Sequence, residues 1–217
     1  MKRPLIIFGS QYKDLLKLIA AINRHGPTWE LLGFIDDRLE VQGARIFDHP
    51  VLGRREWLLE NPIEGVAVFN NVCGKEKNAR AVASWLDSNR LPAASLIHPG
   101  IDANYVEIGR GAIMPEGCVL GSGTKIGGFF TGRLHVVISH DVDIRDFVFM
   151  GPGTVVGSEV TLEDGVFVGA GATIMAGKKI GANSLVGAGA LVVDDVPVGV
   201  TVAGVPARVI KSGGRDQ

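Results

Sequence analysis

The segment Val166-Phe-Val-Gly-Ala-Gly-Ala-Thr-Ile-Met-Ala-Gly-Lys-Lys-Ile-Gly-Ala-Asn-Ser-Leu-Val186 decides the fold, because its apolar residues recur every six positions. The same phase runs from Ile108 to Val198, where fifteen of sixteen positions hold an aliphatic residue or Met and Gly132 is the exception. The residues two positions earlier are mostly small or β-branched, and the following residue is often Gly. A repeat of this length is typical of short strands joined at regular corners.

The six-residue repeat predicts a left-handed parallel β-helix from about Val106 to Val198. The aliphatic side chain and the small one two positions earlier point the same way, because side chains alternate along a strand. We expect corners at residues whose backbone conformation Gly and Asn adopt easily, such as Gly121, Gly151 and Asn183. A β-sandwich would not hold the phase over so many repeats. The poorer match at residues 127–135 predicts an irregular but complete rung.

The first ninety residues alternate between apolar runs and helical patterns. Strands are predicted over Pro4–Phe8, Trp29–Ile35 and Gly65–Phe69, and helices over Asp14–His25, Lys75–Asn89 and a short stretch after Val51-Leu-Gly53. This order indicates a small Rossmann-like α/β domain with a parallel sheet. The predicted domain limits are 1–90 for this substrate-binding domain, 91–104 for a linker, 105–210 for the β-helix and 211–217 for a flexible tail.

Polar residues follow the first two predicted strands. Ligands of such sheets bind beyond the carboxyl ends of the strands, which places Gly9, Ser10, Asp36 and Asp37 together as candidate substrate-binding residues. Either aspartate could accept hydrogen bonds from a ribose or a base. The alternative is that both aspartates are solvated turn residues.

Composition excludes several classes of function. The 217-residue chain has a formal net charge of -1, so it lacks the positive footprint of a nucleic-acid-binding protein. No apolar stretch approaches the roughly 20 residues that span a bilayer. The two cysteines, Cys73 and Cys118, lack metal-ligand spacing, and no His, Asp and Glu cluster suggests a metal. A cytoplasmic protein with reduced thiols is expected.

Several motifs together resemble one family. They are Ile97-His-Pro99, Ser139-His-Asp-Val142, Val168-Gly-Ala-Gly-Ala172, Val186-Gly-Ala-Gly-Ala190 and Ala203-Gly-Val-Pro-Ala-Arg208. With the two predicted domains, they resemble the sugar acetyltransferases of the sialic acid O-acetyltransferase type, which include nucleotide-aminosugar N-acetyltransferases. The resemblance implies acetyl-CoA as donor, a sugar acceptor, and a homotrimer with active sites in the clefts between adjacent β-helices.

His140 and Asp141 are the candidate catalytic residues. Acetyl transfer needs a group that takes a proton from the attacking amine or hydroxyl, and histidine titrates in the required range. His140 lies two positions after Ile138, where the repeat turns a corner and a side chain projects outward. On a flat strand Asp141 would face the opposite way, but at a corner the two side chains can converge. The resemblance implies that His140 is the general base and that Asp141 raises its basicity. His135 fits a surface residue better.

The resemblance also assigns residues to acetyl-CoA, and it fails at one point. Gly169, Ala170, Gly187 and Pro206 match family positions that contact the donor, although each Gly also has a structural reason to be present. The family's Gly-Ala-Gly-Gly-His-Gly loop after the first strand is replaced here by residues 9–14, Gly-Ser-Gln-Tyr-Lys-Asp. Only the first glycine remains, so the usual backbone cradle for a nucleotide diphosphate is missing. Lys13 offers a point charge for a phosphate instead.

Two hypotheses follow from these observations. The first is an acetyl-CoA-dependent acetyltransferase that acts directly, without an acetyl-enzyme, on an amino or hydroxyl group of a sugar that is nucleotide-linked. The second is a non-catalytic trimeric β-helix scaffold that has lost its acceptor site. The retained His140-Asp141 pair favours the enzyme.

Overall fold

The computed structural model describes residues 1–73 and 75–213, so residues 214–217 of the predicted tail lie outside the described residues. The chain divides into two compact units, Met1–Leu96 and Ile97–Gln217. The division falls within the segment 91–104 that the sequence analysis assigns to a linker. Among the described residues, no helix combines the length and apolar character that a membrane crossing requires.

The first unit is an α/β domain built on a five-stranded sheet. Its elements are β1 (Arg3–Phe8), α1 (Leu15–His25), β2 (Trp29–Ile35), a 3-10 turn (Leu39–Val41), β3 (Arg45–Ile46), β4 (His49–Gly53), α2 (Trp57–Glu60), β5 (Ala67–Asn70) and α3 (Glu76–Ser88). The sheet order is β3-β4-β2-β1-β5, with β4, β2, β1 and β5 parallel and β3 antiparallel to β4. The Rossmann-like prediction is confirmed. Strand β4 was not predicted, because it is short and only its Val51 is buried.

The second unit is a left-handed parallel β-helix, as the repeat predicts. Its strands are β6 (Leu96–Ile97), β7 (Glu107–Ile108), β8 (Ile113–Met114), β9 (Val119–Leu120), β10 (Lys125–Ile126), β11 (Thr131–Gly132), β12 (Val137–Ile138), β13 (Asp143–Ile144), β14 (Phe149–Met150), β15 (Val155–Val156), β16 (Thr161–Leu162), β17 (Phe167–Val168), β18 (Thr173–Ile174), β19 (Lys179–Ile180), β20 (Leu185–Val186), β21 (Leu191–Val192), β22 (Val200–Gly204) and β23 (Ala207–Ser212). Every third strand pairs in parallel, so Ile138 lies beside Val156, eighteen residues later. The three resulting sheets enclose one core, and β23 closes the end as an antiparallel hairpin with β22.

The interior of the β-helix is filled by the two side chains of each repeat that were predicted to point inward. Almost every aliphatic position from Ile126 onward is buried, and so are the small residues two positions earlier. The rung with Gly132 is complete but irregular, as predicted, because β11 pairs with both β8 and β14 but only Thr131 has a partner in β8. The fully buried Phe130 takes the missing volume, since a Cβ on Gly132 would lie 3.0 Å from its ring.

One of the three predicted corner residues lies at a corner, and the other two lie two residues before one. Every sixth residue from Tyr105 to Gly189 has a positive φ, and this series includes Asn183 but neither Gly121 nor Gly151. A Cβ on Gly121 would lie 2.4 Å from the backbone nitrogen of His140, and one on Gly151 would lie 2.6 Å from the backbone nitrogen of Ala170. Assigning corners to these two glycines was therefore wrong. They are glycines because the backbone of the next coil passes too close for a side chain.

This distinction predicts different costs for two neighbouring substitutions. Gly151→Ala should lower the free energy of unfolding by about 3 kcal/mol or more, because a methyl group is forced against backbone that cannot move aside. Gly153 has a φ of 68° and open space around its Cβ position, so Gly153→Ala should cost only about 1 kcal/mol of left-handed strain. Thermal melts at equal protein concentration measure the difference. Equal melting temperatures would contradict the steric account of Gly151.

Candidate functional site

A cavity of about 440 Å³ opens at the carboxyl ends of β1, β2 and β5 in the α/β domain. Its position is where a parallel sheet of this type binds ligands. It is lined by Phe8, Gly9, Gln11, Asp36, Asp37, Arg38, Arg55, Asn71, Val72, Cys73, Lys75, Asn78, Ala81 and Val82. The sequence predicted Gly9, Asp36 and Asp37 on this edge, and the structure brings all three to the cavity. Lys13 is exposed and is not among the lining residues.

Asp36 is buried, and its carboxylate is fully used inside the protein. Oδ2 accepts hydrogen bonds from the Ser10 amide at 3.0 Å, the Ser10 hydroxyl at 2.7 Å and Arg38 Nη2 at 2.7 Å. Oδ1 accepts from the Arg38 amide at 3.1 Å and from Nε at 2.9 Å. A carboxylate offers about four lone-pair sites, so none remains for a ligand. Asp36 therefore fixes Ser10 and Arg38.

Burial alone would raise the pKa of the Asp36 carboxyl, because it removes water from the charged form. The hydrogen bonds from Arg38 and Ser10 outweigh this effect and hold the pKa well below its usual range. Asp36 is thus ionised at neutral pH and forms an ion pair with Arg38.

Asp37 is held differently and remains partly open. Its Oδ2 accepts from Arg55 Nε at 2.9 Å and from Arg55 Nη2, while among the described residues Oδ1 accepts from one donor, the Arg55 amide at 3.1 Å. Its side chain is 29% exposed. The guanidinium of Arg55 also lies over the rings of Phe8, at 5.4 Å, and Trp85, at 5.6 Å. Neither aspartate is a solvated turn residue, and Asp37 is the one whose carboxylate can still accept a ligand hydroxyl or N–H.

The first two backbone amides of the loop after β1 are hydrogen-bonded within the protein. The Gly9 amide donates to the Ile35 carbonyl at 2.7 Å, and the Ser10 amide donates to Asp36. Asn71 pins the same loop from β5 by donating to the Gly9 carbonyl at 2.8 Å. The first two amides that a glycine-rich loop would offer to a phosphate are therefore occupied by the protein.

The β-helix brings His140 and Asp141 together at a corner. His140 Nδ1 lies 2.9 Å from Asp141 Oδ2, and the two side chains are 58% and 63% exposed. Asp141 has a φ of 57°, the left-handed conformation that turns its side chain back towards its neighbour. With Nδ1–H donated to the carboxylate, Nε2 carries the lone pair and faces away from Asp141, as a general base requires.

Gly123 supports this pair and was not identified from the sequence. It lies one coil before Asp141, and a Cβ there would fall 2.2 Å from Asp141 Oδ1. The carboxylate therefore rests on a position that must lack a side chain. The eighteen-residue spacing between Gly123 and Asp141 is the signal that could have revealed it. Arg38 and Arg55 were also missed, because nothing in the sequence distinguishes them from other surface arginines.

The residues assigned to acetyl-CoA lie along the same β-helix. Ala170 is exposed, Pro206 lies in the exposed turn between β22 and β23, and Gly169 and Gly187 sit where a Cβ would meet the next coil. Beside Ala170, the glycines at one corner form a line without side chains over three successive coils: Gly153, Gly171 and Gly189. No Cβ placed on them would touch anything, so a long ligand could lie against bare backbone there.

The chain is similar in sequence to a known enzyme. It is 31% identical over 186 residues to the GDP-perosamine N-acetyltransferase of Escherichia coli O157:H7, covering 83% of this chain and 82% of that protein. No family model matches the sequence. Groups of three or more His, Cys, Asp or Glu side chains placed for a metal are absent from the described ranges.

Solved structures agree with this relationship. The acetyltransferase domain of PglB from Neisseria gonorrhoeae FA1090, in complex with acetyl coenzyme A, is 25% identical with a TM-score of 0.86, over 97% of this chain and 100% of that one. PerB from Caulobacter crescentus, in complex with CoA and GDP-perosamine, shares the fold at 23% identity with a TM-score of 0.85, over 96% and 97%. The chain therefore belongs to the nucleotide-aminosugar N-acetyltransferases of the hexapeptide-repeat family and is an acetyl-CoA-dependent acetyltransferase.

Proposed function

We propose that the enzyme transfers acetyl from acetyl-CoA directly to the amino group of a nucleotide-linked sugar, with His140 as general base. The observation that carries this proposal is the 2.9 Å contact between His140 and Asp141, which leaves Nε2 available. Nε2 accepts the proton that the amine loses as the C–N bond forms and the C–S bond breaks. Asp141 holds the ring in the required tautomer and stabilises the imidazolium. The proton then leaves with the thiolate as free thiol.

Direct attack is favoured over an acetyl-cysteine intermediate. Cys118 is buried inside the β-helix, and burial raises the pKa of its thiol, which lowers the fraction of reactive thiolate. Cys73 lies in the other unit, on the lining of the α/β cavity. In the sequence, neither Cys73 nor Cys118 has a histidine beside it of the kind that a thiol nucleophile uses.

Two observations support a nucleotide-linked sugar as the acceptor: the open carboxylate of Asp37 and the substrate for which a relative is named. The Escherichia coli relative is named for GDP-perosamine, a nucleotide-linked amino sugar. Asp37 lies on the cavity lining with one carboxylate oxygen that has capacity for a further hydrogen bond. We assign it to a hydroxyl or N–H of the nucleoside, with Gly9 beside it on the lining. Ser10 is buried and does not line the cavity, so it supports the site through its hydrogen bonds to Asp36 and Arg38.

A homotrimer with active sites between adjacent β-helices is supported by the outer faces of the β-helix. The outward residues of one sheet are Val119, Val137, Val155, Thr173 and Leu191, and those of the next are Thr131, Phe149, Phe167 and Leu185. The third sheet shows Glu107, Lys125, Asp143, Thr161 and Lys179. Two mostly apolar faces and one charged face suit a closed ring in which different faces meet.

Thiol release from acetyl-CoA, measured with GDP-, UDP- and dTDP-linked 4-amino sugars, tests the proposal. We expect turnover with at least one of them and none with the corresponding sugars whose amine is already acetylated. Turnover only with hydroxyl acceptors would overturn N-acetylation. Absence of turnover with every acceptor, together with no acetyl-CoA binding by calorimetry, would instead support the non-catalytic scaffold.

A further inference from the structure

The α/β domain has lost the glycine-rich loop, yet its cavity keeps a positively charged lining. Three cations, Arg38, Arg55 and Lys75, face two carboxylates, Asp36 and Asp37, which leaves one positive charge in excess. Since the Gly9 and Ser10 amides are bonded within the protein, the backbone cannot supply the usual cradle at these positions. A positively charged side chain on the lining can take over the role of these two amides towards an anionic part of the acceptor.

We propose that Arg38 binds the phosphate of the nucleotide-linked acceptor and replaces the backbone loop in that role. This inference rests on the proposed function, because it concerns the same acceptor. It makes Arg38 a specificity-determining residue that favours nucleotide-linked sugars over neutral ones.

The guanidinium of Arg38 is hydrogen-bonded to the protein through Nε and Nη2, whereas Nη1 is available to a ligand. Nε and Nη2 hold the two oxygens of Asp36, and Nη2 also donates to the Ser10 hydroxyl at 3.0 Å. These bonds use three of the five N–H donors of an arginine. The two donors on Nη1 have no hydrogen-bond partner in residues 1–73 and 75–213. The side chain is 37% exposed and lines the cavity, so the remaining donors are accessible to a ligand.

The backbone around Arg38 is also fixed before any ligand arrives. Gln42 Nε2 donates to the Asp36 carbonyl at 2.6 Å and to the Arg38 carbonyl at 2.8 Å. An arginine held at both its main chain and its guanidinium loses little freedom on binding, and its planar donors match phosphate oxygens. Arg55 is less suited, because it is bound to Asp37 and packed over Phe8 and Trp85.

Calorimetry on the full chain with GDP and guanosine tests the assignment, with UDP and dTDP and their nucleosides measured in parallel. Arg38→Gln should weaken binding of the preferred nucleoside diphosphate at least tenfold and leave the nucleoside within twofold. Arg38→Lys keeps a charge beside Asp36 and preserves the fold, and it should lose several-fold for the diphosphate only. The matched control is Arg80→Gln, which removes an arginine paired with Glu76 that does not line the cavity.

Equal diphosphate affinity in wild type and Arg38→Gln, with acetyl transfer intact, would overturn the role of Arg38 and leave the proposed function standing. Equal weakening of diphosphate and nucleoside would also overturn it, because the effect would then be a general distortion of the cavity. Failure of the wild type to bind any of the three diphosphates overturns it as well. Failure of the wild type to acetylate any nucleotide-linked amino sugar would count against the proposed function itself.

Discussion

Replacing His140 by Ala is expected to lower kcat/KM for acetyl transfer by two orders of magnitude or more. A positioned general base contributes about 10²- to 10⁴-fold, and His140 is the histidine whose ring is oriented by a carboxylate, at 2.9 Å from Asp141. Its exposed position at a corner means that the substitution removes no packing, so the melting temperature should stay within a degree or two. Steady-state assays of thiol release across a range of acceptor concentrations measure the loss.

His135, which like His140 lies within the six-residue repeats, provides a matched control. His135 also sits at a corner with a φ of 59°, but its ring lies over the Gly117 position and forms no ion pair within the described residues. His135→Ala should keep kcat/KM within about threefold. Similar losses in both variants would show that His140 acts through corner geometry rather than as a base. Full activity of His140→Ala would remove it from the mechanism.

Replacing Asp36 by Asn is expected to destabilise the α/β domain at neutral pH by about 2–3 kcal/mol, because a charged group that accepts five hydrogen bonds is lost while Arg38 stays in place. At about 2–4 °C for each kcal/mol, the melting temperature should fall by roughly 5–10 °C. Differential scanning calorimetry of wild type and variant at pH 7, pH 5 and pH 3 measures the effect.

The pH dependence of this difference has a definite sign. The pKa of Asp36 is depressed in the folded state, so its contribution is complete above the ordinary value of 3.8 and is lost as the pH falls below it. The gap between wild type and Asp36→Asn should therefore be equal at pH 7 and pH 5 and smaller at pH 3. Asp37→Asn should cost less at pH 7, because water reaches more of that ion pair. A gap that grows at pH 3 would contradict the assignment.

The β-helix could be predicted because one residue type serves one purpose at each position of the repeat. An aliphatic side chain that recurs every six residues is buried in the interior. The six-residue pattern continues across Gly132, the one position that lacks such a side chain. Glycine was harder, since it serves two purposes. Gly153 provides a left-handed corner, whereas Gly151 leaves room for the next coil, and a single sequence does not separate a conformational cause from a steric one.

The acceptor cavity could be predicted only in outline. The ends of β1 and β2 identified Asp36 and Asp37, but their different states depend on partners that the sequence does not mark. Arg55 lies eighteen residues after Asp37, and the ion pair between them forms because they follow β2 and β4, which are parallel neighbours in the sheet. Burial then decides that Asp36 is an internal support and that Asp37 stays open.

The line of corner glycines without side chains can change in length only in fixed steps. Gly153, Gly171 and Gly189 recur with each turn of the solenoid, and adjacent turns are about 4.8 Å apart, the spacing of hydrogen-bonded strands. This line of glycines can therefore grow or shrink only by whole turns of eighteen residues, since an insertion of six or twelve residues would keep the interior pattern but move the glycines of later turns to another corner. Related enzymes are expected to differ in the length of this line of glycines by whole turns of the β-helix.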